Sequence, residues 1–256
     1  MASVHGAAVK FGQGRSAVEV NIASATRLFQ VIRDRFARKE GFALATLNLD
    51  HLTKLPVDQA FADAYRAHDL VVADGRPVVW LSRLARRPVA LMPGSDLVIP
   101  LCNTAAEMDV PVALIGSTQD ALEGAQAALQ QSVPGLVVSY IHAPAFGFDP
   151  VSDAAGAICD ALDASGARLC FIALGAPKQE IFAAFARGRC PQVGFASVGA
   201  GLDFLSGHQV RAPRIMRAVS LEWFWRALQS PRRMVPRYAR CFAILPRLTV
   251  QALRQR

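Results

Sequence analysis

The sequence predicts an α/β protein with a mostly parallel sheet of about six strands, helices on both faces of that sheet, and a basic helical C-terminal appendage. Short, continuously apolar runs alternate with longer amphipathic runs, as expected for strands that are buried on both faces and joined by helices. Arginine begins to dominate the composition near residues 205–210. A length of 256 residues and a hydrophobic content of 52% suit one large domain with an appendage.

The first half of the chain supplies two of the predicted strands. Residues 1–16 are rich in glycine, alanine and serine and are expected to form a flexible arm. Apolar residues from Val18 to Phe36 recur at spacings of three and four, which predicts an amphipathic helix. The strands are predicted at FALATL (42–47) and DLVVAD (69–74), and further helices at 50–67, at 76–86 and from Ser95 onward.

The second half of the chain alternates more regularly between apolar and amphipathic runs. Strands alternating with helices in this way predict a parallel, Rossmann-like sheet. The strands are predicted at VPVALIG (110–116), LVVSYIHA (136–143), ARLCFIALG (167–175) and VGFASVG (193–199), and the helices at 118–131, 150–164 and 177–188.

The distribution of charge separates the C-terminal segment from the rest. From Arg211 to Arg256 there are eleven arginines and one acid, Glu222, so the segment carries +10, whereas the whole chain carries +8 and the remainder therefore −2. A near-neutral body with a basic tail indicates an anionic partner for the tail. We expect three parts, namely the arm (1–16), an α/β domain (17–208) and a basic helical appendage that binds membrane or substrate (209–256).

Aromatic residues interleave with the arginines of this tail, among them Trp223, Phe224, Trp225 and Tyr238. Such a pattern favours an anionic membrane surface, where aromatic rings enter the headgroup region and arginines pair with phosphates. A solvated tail and a tail that binds nucleic acid are the alternatives. No run reaches the ~20 apolar residues of a membrane-spanning helix, and no signal peptide is visible. We therefore expect a cytoplasmic protein, peripheral on the inner face of the cytoplasmic membrane, with five scattered, reduced cysteines.

Candidate functional residues follow the predicted strands, because ligands of parallel α/β sheets bind beyond the carboxyl ends of the strands. Asp74 stands between an apolar strand and a glycine, where partial burial would raise the pKa of its carboxyl group toward that of a general base. A helix-capping role is the alternative for Asp74. Thr46 and Asn48 offer a hydroxyl and an amide at a neighbouring strand end, or else simple turn chemistry.

Glycine-containing turns follow other strands, and their backbone N–H groups suit a diphosphate. Gly116 and Gly199 belong to two of these turns. Gln179 and Glu180 lie in the first turn of the helix after Pro177, where Glu180 has the alternative role of complementing the helix dipole. Asp203 is a candidate hydrogen-bond acceptor for a ribose or a base.

Several familiar signatures are missing from the sequence. The glycines at 199 and 201 follow a strand, but Phe204 leaves the dinucleotide fingerprint incomplete. There is no Walker A motif, no Asp-x-Asp pair and no metal-binding spacing of histidines. His51 alone among the histidines falls near the candidate residues, and a structural or exposed role is the expectation for it.

Five motifs, taken in order, are similar to those of the WecG/TagA/CpsF family of bacterial glycosyltransferases over roughly residues 20–240. The motifs are TLNLDHL (46–52), VADGRPVVW (72–80), PGSDL (93–97), LGAPKQEIF (174–182), and VGAGLDFLSG (198–207) followed by LEWFWRALQSPRR (221–233). The resemblance implies an inverting, metal-independent transfer of a hexose, such as N-acetylmannosamine, its uronic acid or glucose, from a UDP-sugar without a cofactor. The implied acceptor is a sugar on a polyprenyl diphosphate, in the synthesis of cell-surface polysaccharides such as capsule or exopolysaccharide.

The resemblance also implies roles for individual residues. The family's proposed base falls on Asp74, its supporting threonine on Thr46 and its asparagine on Asn48. Its glutamine falls on Gln179, and two arginines of its C-terminal appendage fall on Arg226 and Arg233.

This sequence departs from the family pattern at two positions where the family carries arginine. A third appendage arginine of the family falls on Pro236, with Arg237 beside it, and we expect Arg237 to bind substrate. Leu91 stands where many members carry arginine. The competing functions are a nicotinamide-dependent oxidoreductase on the same kind of sheet and a nucleic-acid-binding protein, although we expect no nucleic-acid partner. The sequence leaves homo-oligomerisation open.

Overall fold

The computed structural model describes residues 8–207 and 222–256. Within these residues the strands form an antiparallel pair and a separate six-stranded parallel sheet. The strands are β1 (Val9–Phe11), β2 (Val18–Val20), β3 (Phe42–Leu47), β4 (Leu70–Ala73), β5 (Val112–Gly116), β6 (Val138–His142), β7 (Leu169–Ala173) and β8 (Gly194–Ser197). The predicted α/β fold with six parallel strands is confirmed.

The helices of the described residues cover both faces of the large sheet. They are α1 (Ala25–Ala37), α2 (Leu49–Lys54), α3 (Gln59–Ala67), α4 (Arg76–Leu84), α5 (Gly94–Glu107), α6 (Gln119–Ser132), α7 (Asp153–Ala164), α8 (Lys178–Arg189), α9 (Gly201–Leu205), α10 (Glu222–Gln229) and α11 (Pro231–Leu253).

Two helices differ from the prediction. The helix predicted from Val18 begins at Ala25, because Ser24 caps it by accepting a hydrogen bond from the backbone N–H of Arg27 at 3.3 Å. Val18 instead belongs to β2, which pairs with β1. The single helix predicted at 50–67 is two helices, since Pro56 lies between them and Asp58 caps the second through the N–H of Phe61.

The sheet is buried on both faces because side chains alternate along each strand. In β3, Leu44 packs into a core formed with α1, α5 and α6, whereas Ala43 and Ala45 face the opposite side. On that side the core of α7 and α8 covers one half of the sheet, and the core of α2, α3 and α11 covers the other. The strands therefore lack the exposed polar face that would have shown as alternation in the sequence.

The strand order β4-β3-β8-β7-β5-β6 determines which loops meet. All six strands run parallel, so their carboxyl ends lie at one edge of the sheet, here called the carboxyl edge. Within the large sheet, β3 is the first strand along the chain and β8 is the last, and the two lie side by side. Residues separated by about 150 positions in the sequence are thereby brought to neighbouring strand ends.

The C-terminal helix α11 packs against the body of the protein. Its residues Cys241, Leu248 and Ala252 are buried in the core shared with α2 and α3. The side-chain amides of Gln251 and Gln255 each bond both to a backbone N–H and to a backbone carbonyl of the segment 10–12. These bonds satisfy backbone groups at one edge of β1, which falls in the segment predicted as a flexible arm.

The remaining expectations for the tail concern residues only partly described. In the stretches 8–207 and 222–256, no helix combines the length and the apolar character needed to cross a membrane. The boundary predicted near residue 209 lies outside the described residues, so the division of the chain into three parts stays a prediction. All five cysteines are buried and unbridged.

Gly41, at the amino end of β3, offers a test of how closely the sheet packs. A Cβ atom at this position would overlap the backbone carbonyl of Val193, which cannot move without shifting β8. We predict that Gly41→Ala lowers the free energy of unfolding by about 1–3 kcal/mol, the usual cost of overpacking. Urea denaturation followed by circular dichroism measures this change.

Gly188 provides the matched control, because it is exposed in α8 and a Cβ there would meet no atom within 4 Å. Gly188→Ala should raise the stability by about 0.5–1 kcal/mol, since alanine favours the helix. Equal effects of the two substitutions would contradict the packing described.

Candidate functional site

The ends of β4, β3 and β8 are joined by hydrogen bonds that bring three predicted residues together. The backbone N–H of Asp74 donates to the carbonyl of Leu47 at 2.7 Å, which joins the end of β4 to the end of β3. The hydroxyl of Thr46 donates to the carbonyl of Ser197 at 3.3 Å, which joins β3 to β8. Thr46 is buried and Asp74 is half-buried, so the carboxylate lies where the interior of the sheet meets solvent.

Asn48 is held at the end of β3 by both ends of its side-chain amide. Its Oδ1 accepts the backbone N–H of His51 at 3.1 Å and so caps α2, while its Nδ2 lies 3.3 Å from the His51 Nε2. Because Nδ2 can only donate, His51 Nε2 must be the acceptor and the ring proton must lie on Nδ1. That proton is donated to the hydroxyl oxygen of Tyr65 at 2.5 Å.

His51 is therefore a neutral, buried group behind Asn48. Burial lowers its pKa to about 3, even though the nearby carboxylate of Asp50 acts in the opposite direction. The expected structural role of His51 agrees with this geometry. Burial also raises the pKa of Tyr65, and the negative charges of Glu180 and Asp74 raise it further.

Gln179 and Glu180 form a buried pair at the start of α8. Gln179 Nε2 donates to Glu180 Oε1 at 2.8 Å, and Gln179 Oε1 accepts the backbone N–H of Gly199 at 3.1 Å. The amide of Gln179 thus joins α8 to the loop after β8. Glu180 is fully buried, and its Oε2 has no hydrogen-bond partner among the described residues. Burial raises the pKa of Glu180 to about 7, against the opposing effects of the Gln179 hydrogen bond and the charge of Lys54.

A second buried acid, Asp50, lies in the first turn of α2. Its Oδ2 is 2.8 Å from Lys54 Nζ, and its Oδ1 is 3.1 Å from Nε of Arg237 in α11. Burial acts to raise the pKa of Asp50, but the Lys54 hydrogen bond and the two positive charges outweigh it and lower the pKa. Lys54 Nζ also donates to the carbonyl of Ala176, in the loop between β7 and α8, at 3.1 Å.

A separate group of residues lies farther along the carboxyl edge, at the ends of β5 and β7. Gly116 has a φ of +118°, and a Cβ there would lie 2.5 Å from the carbonyl oxygen of Ala173. Only glycine fits this close approach of the two strands. The hydroxyl of Ser117 donates to a carboxylate oxygen of Asp203. This bond ties the loop after β5 to the short helix α9.

An open groove lies at the β6 end of the same edge. Its volume is 760 Å³, and it is lined mainly by the loop between β6 and α7. Tyr140 and His142 of β6 stack with ring planes 6° apart and form part of its wall. The volume lies within the range of ~300–1,000 Å³ typical of small-molecule sites.

The structure brings most of the predicted site residues to the carboxyl edge in two groups. The β4–β3–β8 group contains Asp74, Thr46, Asn48, Gln179, Glu180 and Gly199, and the β5–β7 group contains Gly116 and Asp203. Arg237 contacts Asp50, which lies two residues after Asn48 of the first group. The side chains of Arg226 and Arg233 lie outside the described part of the structure. Their predicted roles, like those of the other site residues, stay predictions.

The sequence reasoning missed Asp50, Lys54 and Tyr65. Asp50 and Lys54 are four residues apart on one helix, and their opposite charges were a usable sign of an ion pair. Tyr65 gave no such sign, since its contact with His51 depends on how α3 packs against α2. Among the described residues, no three His, Cys, Asp or Glu side chains are arranged to hold a metal ion. Metal independence stays a prediction.

The six-stranded parallel sheet and the polar residues at its carboxyl edge define an α/β protein of the kind that binds its ligand beyond the strand ends. Comparison with known families then gives a specific result. The model of the glycosyl transferase WecG/TagA/CpsF family matches residues 16–256, nearly the whole chain, and the protein belongs to this family. It is thus a glycosyltransferase of a family that acts in cell-surface polysaccharide synthesis, which weighs against the oxidoreductase and nucleic-acid alternatives.

The buried carboxyl group of Glu180 predicts a pH dependence of stability. An acid whose pKa is raised on folding stabilises the protein below its unfolded value, 4.5, and this contribution is lost as the pH rises through about 7. The full shift corresponds to roughly 3 kcal/mol. We predict that Glu180→Gln, which does not titrate, loses less stability than the wild type between pH 4.5 and pH 7 in thermal denaturation.

Glu123 is the matched control, because it also accepts a hydrogen bond from a glutamine amide, that of Gln119 at 2.9 Å, but is exposed. Glu123→Gln should follow the wild-type curve. Parallel curves for the wild type and Glu180→Gln would show that Glu180 ionises normally.

Proposed function

We propose that this glycosyltransferase moves a hexose of the N-acetylmannosamine or glucose type from a UDP-sugar to a sugar on a polyprenyl diphosphate, with inversion and without a metal. The observation that carries the proposal is the meeting of Asp74, Thr46 and Asn48 at adjoining strand ends, beside loops with backbone N–H groups. A half-buried carboxylate at such an edge has the access that a general base needs.

The shape of the carboxyl edge supports an arrangement of the donor. Asp74 follows β4 at one side of the sheet, and the groove lies at β6 on the other. The glycine-containing loops after β8, β7 and β5 lie between them. A nucleotide-sugar laid across the edge would direct its sugar toward Asp74 and its nucleoside toward the groove. Asp203, in the β5–β7 group, would then accept hydrogen bonds from the ribose or the base.

The proposed reaction is a single displacement. Asp74 accepts the proton of the acceptor hydroxyl as that oxygen forms a bond to the anomeric carbon of the donor sugar. The bond from the anomeric carbon to the UDP oxygen breaks on the opposite face, so the configuration inverts and UDP leaves. The proton remains on the carboxyl group of Asp74 until solvent removes it. Thr46 supports the end of β3 through its bond to β8.

The leaving UDP gains negative charge, which must be stabilised if no metal ion takes part. Backbone N–H groups of the loops after β5, β7 and β8 and at the start of α8 are suited to this task. The family resemblance adds Arg226 and Arg233 of the C-terminal segment, and Arg237 lies beside the position of a third family arginine. Of these three side chains only that of Arg237 is described, and it contacts Asp50.

The C-terminal helix α11 supports the proposed membrane contact. Val235, Phe242 and Val250 are about half exposed on this arginine-rich helix. Exposed apolar side chains beside arginines suit the headgroup region of an anionic bilayer, where a lipid-linked acceptor resides. The protein would then be peripheral on the cytoplasmic face of the membrane.

The reaction class is tested by offering a panel of UDP-hexoses with a short-chain polyprenyl-diphosphate sugar in detergent and EDTA. We expect the mass of the acceptor to rise by one hexose-type unit with at least one donor, as read by mass spectrometry. If transfer requires an added divalent ion, the proposed metal independence is wrong. If the folded protein transfers nothing from any donor to a range of acceptor sugars, the proposal fails.

The role of Asp74 predicts a loss of turnover without a loss of binding. Asp74→Asn removes the proton acceptor but preserves the size of the side chain, so kcat should fall about 10²–10⁴-fold. UDP binding measured by calorimetry should change little. Asp120→Asn, which neutralises an exposed acid in the first turn of α6, is the control and should retain wild-type turnover. Near wild-type kcat for Asp74→Asn would exclude Asp74 as the base.

A further inference from the structure

The contact between Arg237 and Asp50 gives the C-terminal helix a direct route to the candidate site. Arg237 Nε lies 3.1 Å from Asp50 Oδ1, and Asp50 Oδ2 lies 2.8 Å from Lys54 Nζ. The Asp50 side chain is only 7% exposed, so water screens these contacts weakly. The hydrogen bond from Lys54 and the contact with Arg237 thus place two positive charges against one buried carboxylate.

The route continues from Lys54 to the loop that precedes α8. Lys54 Nζ donates to the carbonyl of Ala176 at 3.1 Å. Three residues later, Gln179 bonds to Glu180 and to the backbone N–H of Gly199. A sequence of direct contacts thus joins α11 to the loops after β7 and β8.

The packing of α11 keeps Arg237 at this position. Met234 and Cys241, on either side of Arg237 in the helix, are buried, and Cys241 packs in the same core as Leu49 and Leu52 of α2. The side chain of Arg237 is 28% exposed, so it lies at the boundary of the core and not out in solvent. The helix therefore brings Arg237 to Asp50 as part of its packing.

We propose that Arg237 is a positioning residue, which acts through Asp50 and Lys54 to hold the loop between β7 and α8, and with it Gln179. This role differs from direct contact with the diphosphate of the donor. The proposal rests on the proposed function only in treating that loop as part of the donor site. The charges of Asp50 and Arg237 hold Lys54 in the orientation in which its Nζ reaches the carbonyl of Ala176.

Hydrogen–deuterium exchange of the full-length protein tests the structural part of the proposal without any substrate. Arg237→Gln leaves the Asp50–Lys54 pair in place, so the variant should fold. We expect faster exchange in peptides covering residues 174–180 than in the wild type. Arg240→Gln removes the same charge from an exposed position of the same helix and should leave exchange at 174–180 unchanged. Unchanged exchange in Arg237→Gln overturns the proposal.

A double-mutant cycle with Asp50→Asn separates positioning from donor contact, because coupled residues have non-additive effects. If Arg237 acts through Asp50, each single variant lowers kcat by roughly 3- to 30-fold with little change in donor KM, and the double variant is no worse than the poorer single one. Arg237→Lys should recover part of the loss. A raised donor KM and multiplicative losses would instead identify Arg237 as a donor ligand and overturn the proposal.

Failure of the proposed function gives a different pattern from failure of this inference. If no UDP-hexose is transferred by the wild type while exchange at 174–180 still responds to Arg237→Gln, the positioning contact stands and the assigned reaction falls. If Asp50→Asn does not fold, the cycle is run with Lys54→Gln, since Lys54 lies on the same route and is one-third exposed. Losses of kcat that multiply when Arg237→Gln and Lys54→Gln are combined would overturn the proposal in the same way.

Discussion

The burial of the parallel sheet on both faces is the constraint on which the rest of this structure depends. Strands such as β3, β5 and β8 have no residue exposed to solvent, so they cannot present polar side chains on a face of the sheet. Functional groups can accumulate only where the strands end. The carboxyl edge collects them because every strand of the large sheet runs in the same direction.

This same constraint explains why the sheet was predictable and some helix ends were not. A strand buried on both faces is a continuous apolar run between breaks, and such runs predicted all six strands, including the half-buried edge strand β6. The spacing of apolar residues also placed Val18 and Ile22 on the face of α1, although Val18 pairs in β2 and Ile22 lies before the Ser24 cap. A periodic pattern shows which residues are buried but not where the backbone changes from extended to helical.

The candidate site divides in a similar way into predictable and unpredictable residues. Asp74, Thr46 and Asn48 were found because they follow strands, and the topology of a parallel sheet brings such positions together. The His51–Tyr65 and Lys54–Ala176 contacts depend instead on how α3 and the loop between β7 and α8 pack against α2. These contacts join surfaces that have no fixed relation in the sequence, so neither spacing nor composition reveals them.

The buried groups behind the site also have an electrostatic consequence. Asp50 carries one negative charge between the positive charges of Lys54 and Arg237, which leaves an excess of one positive charge. Glu180 lies close enough to Lys54 and Asp50 to feel both charges, and its pKa of about 7 lets it add a negative charge as the pH rises. An anion bound nearby would oppose that ionisation and favour the protonated acid. A diphosphate held at these loops would therefore favour the neutral form of Glu180.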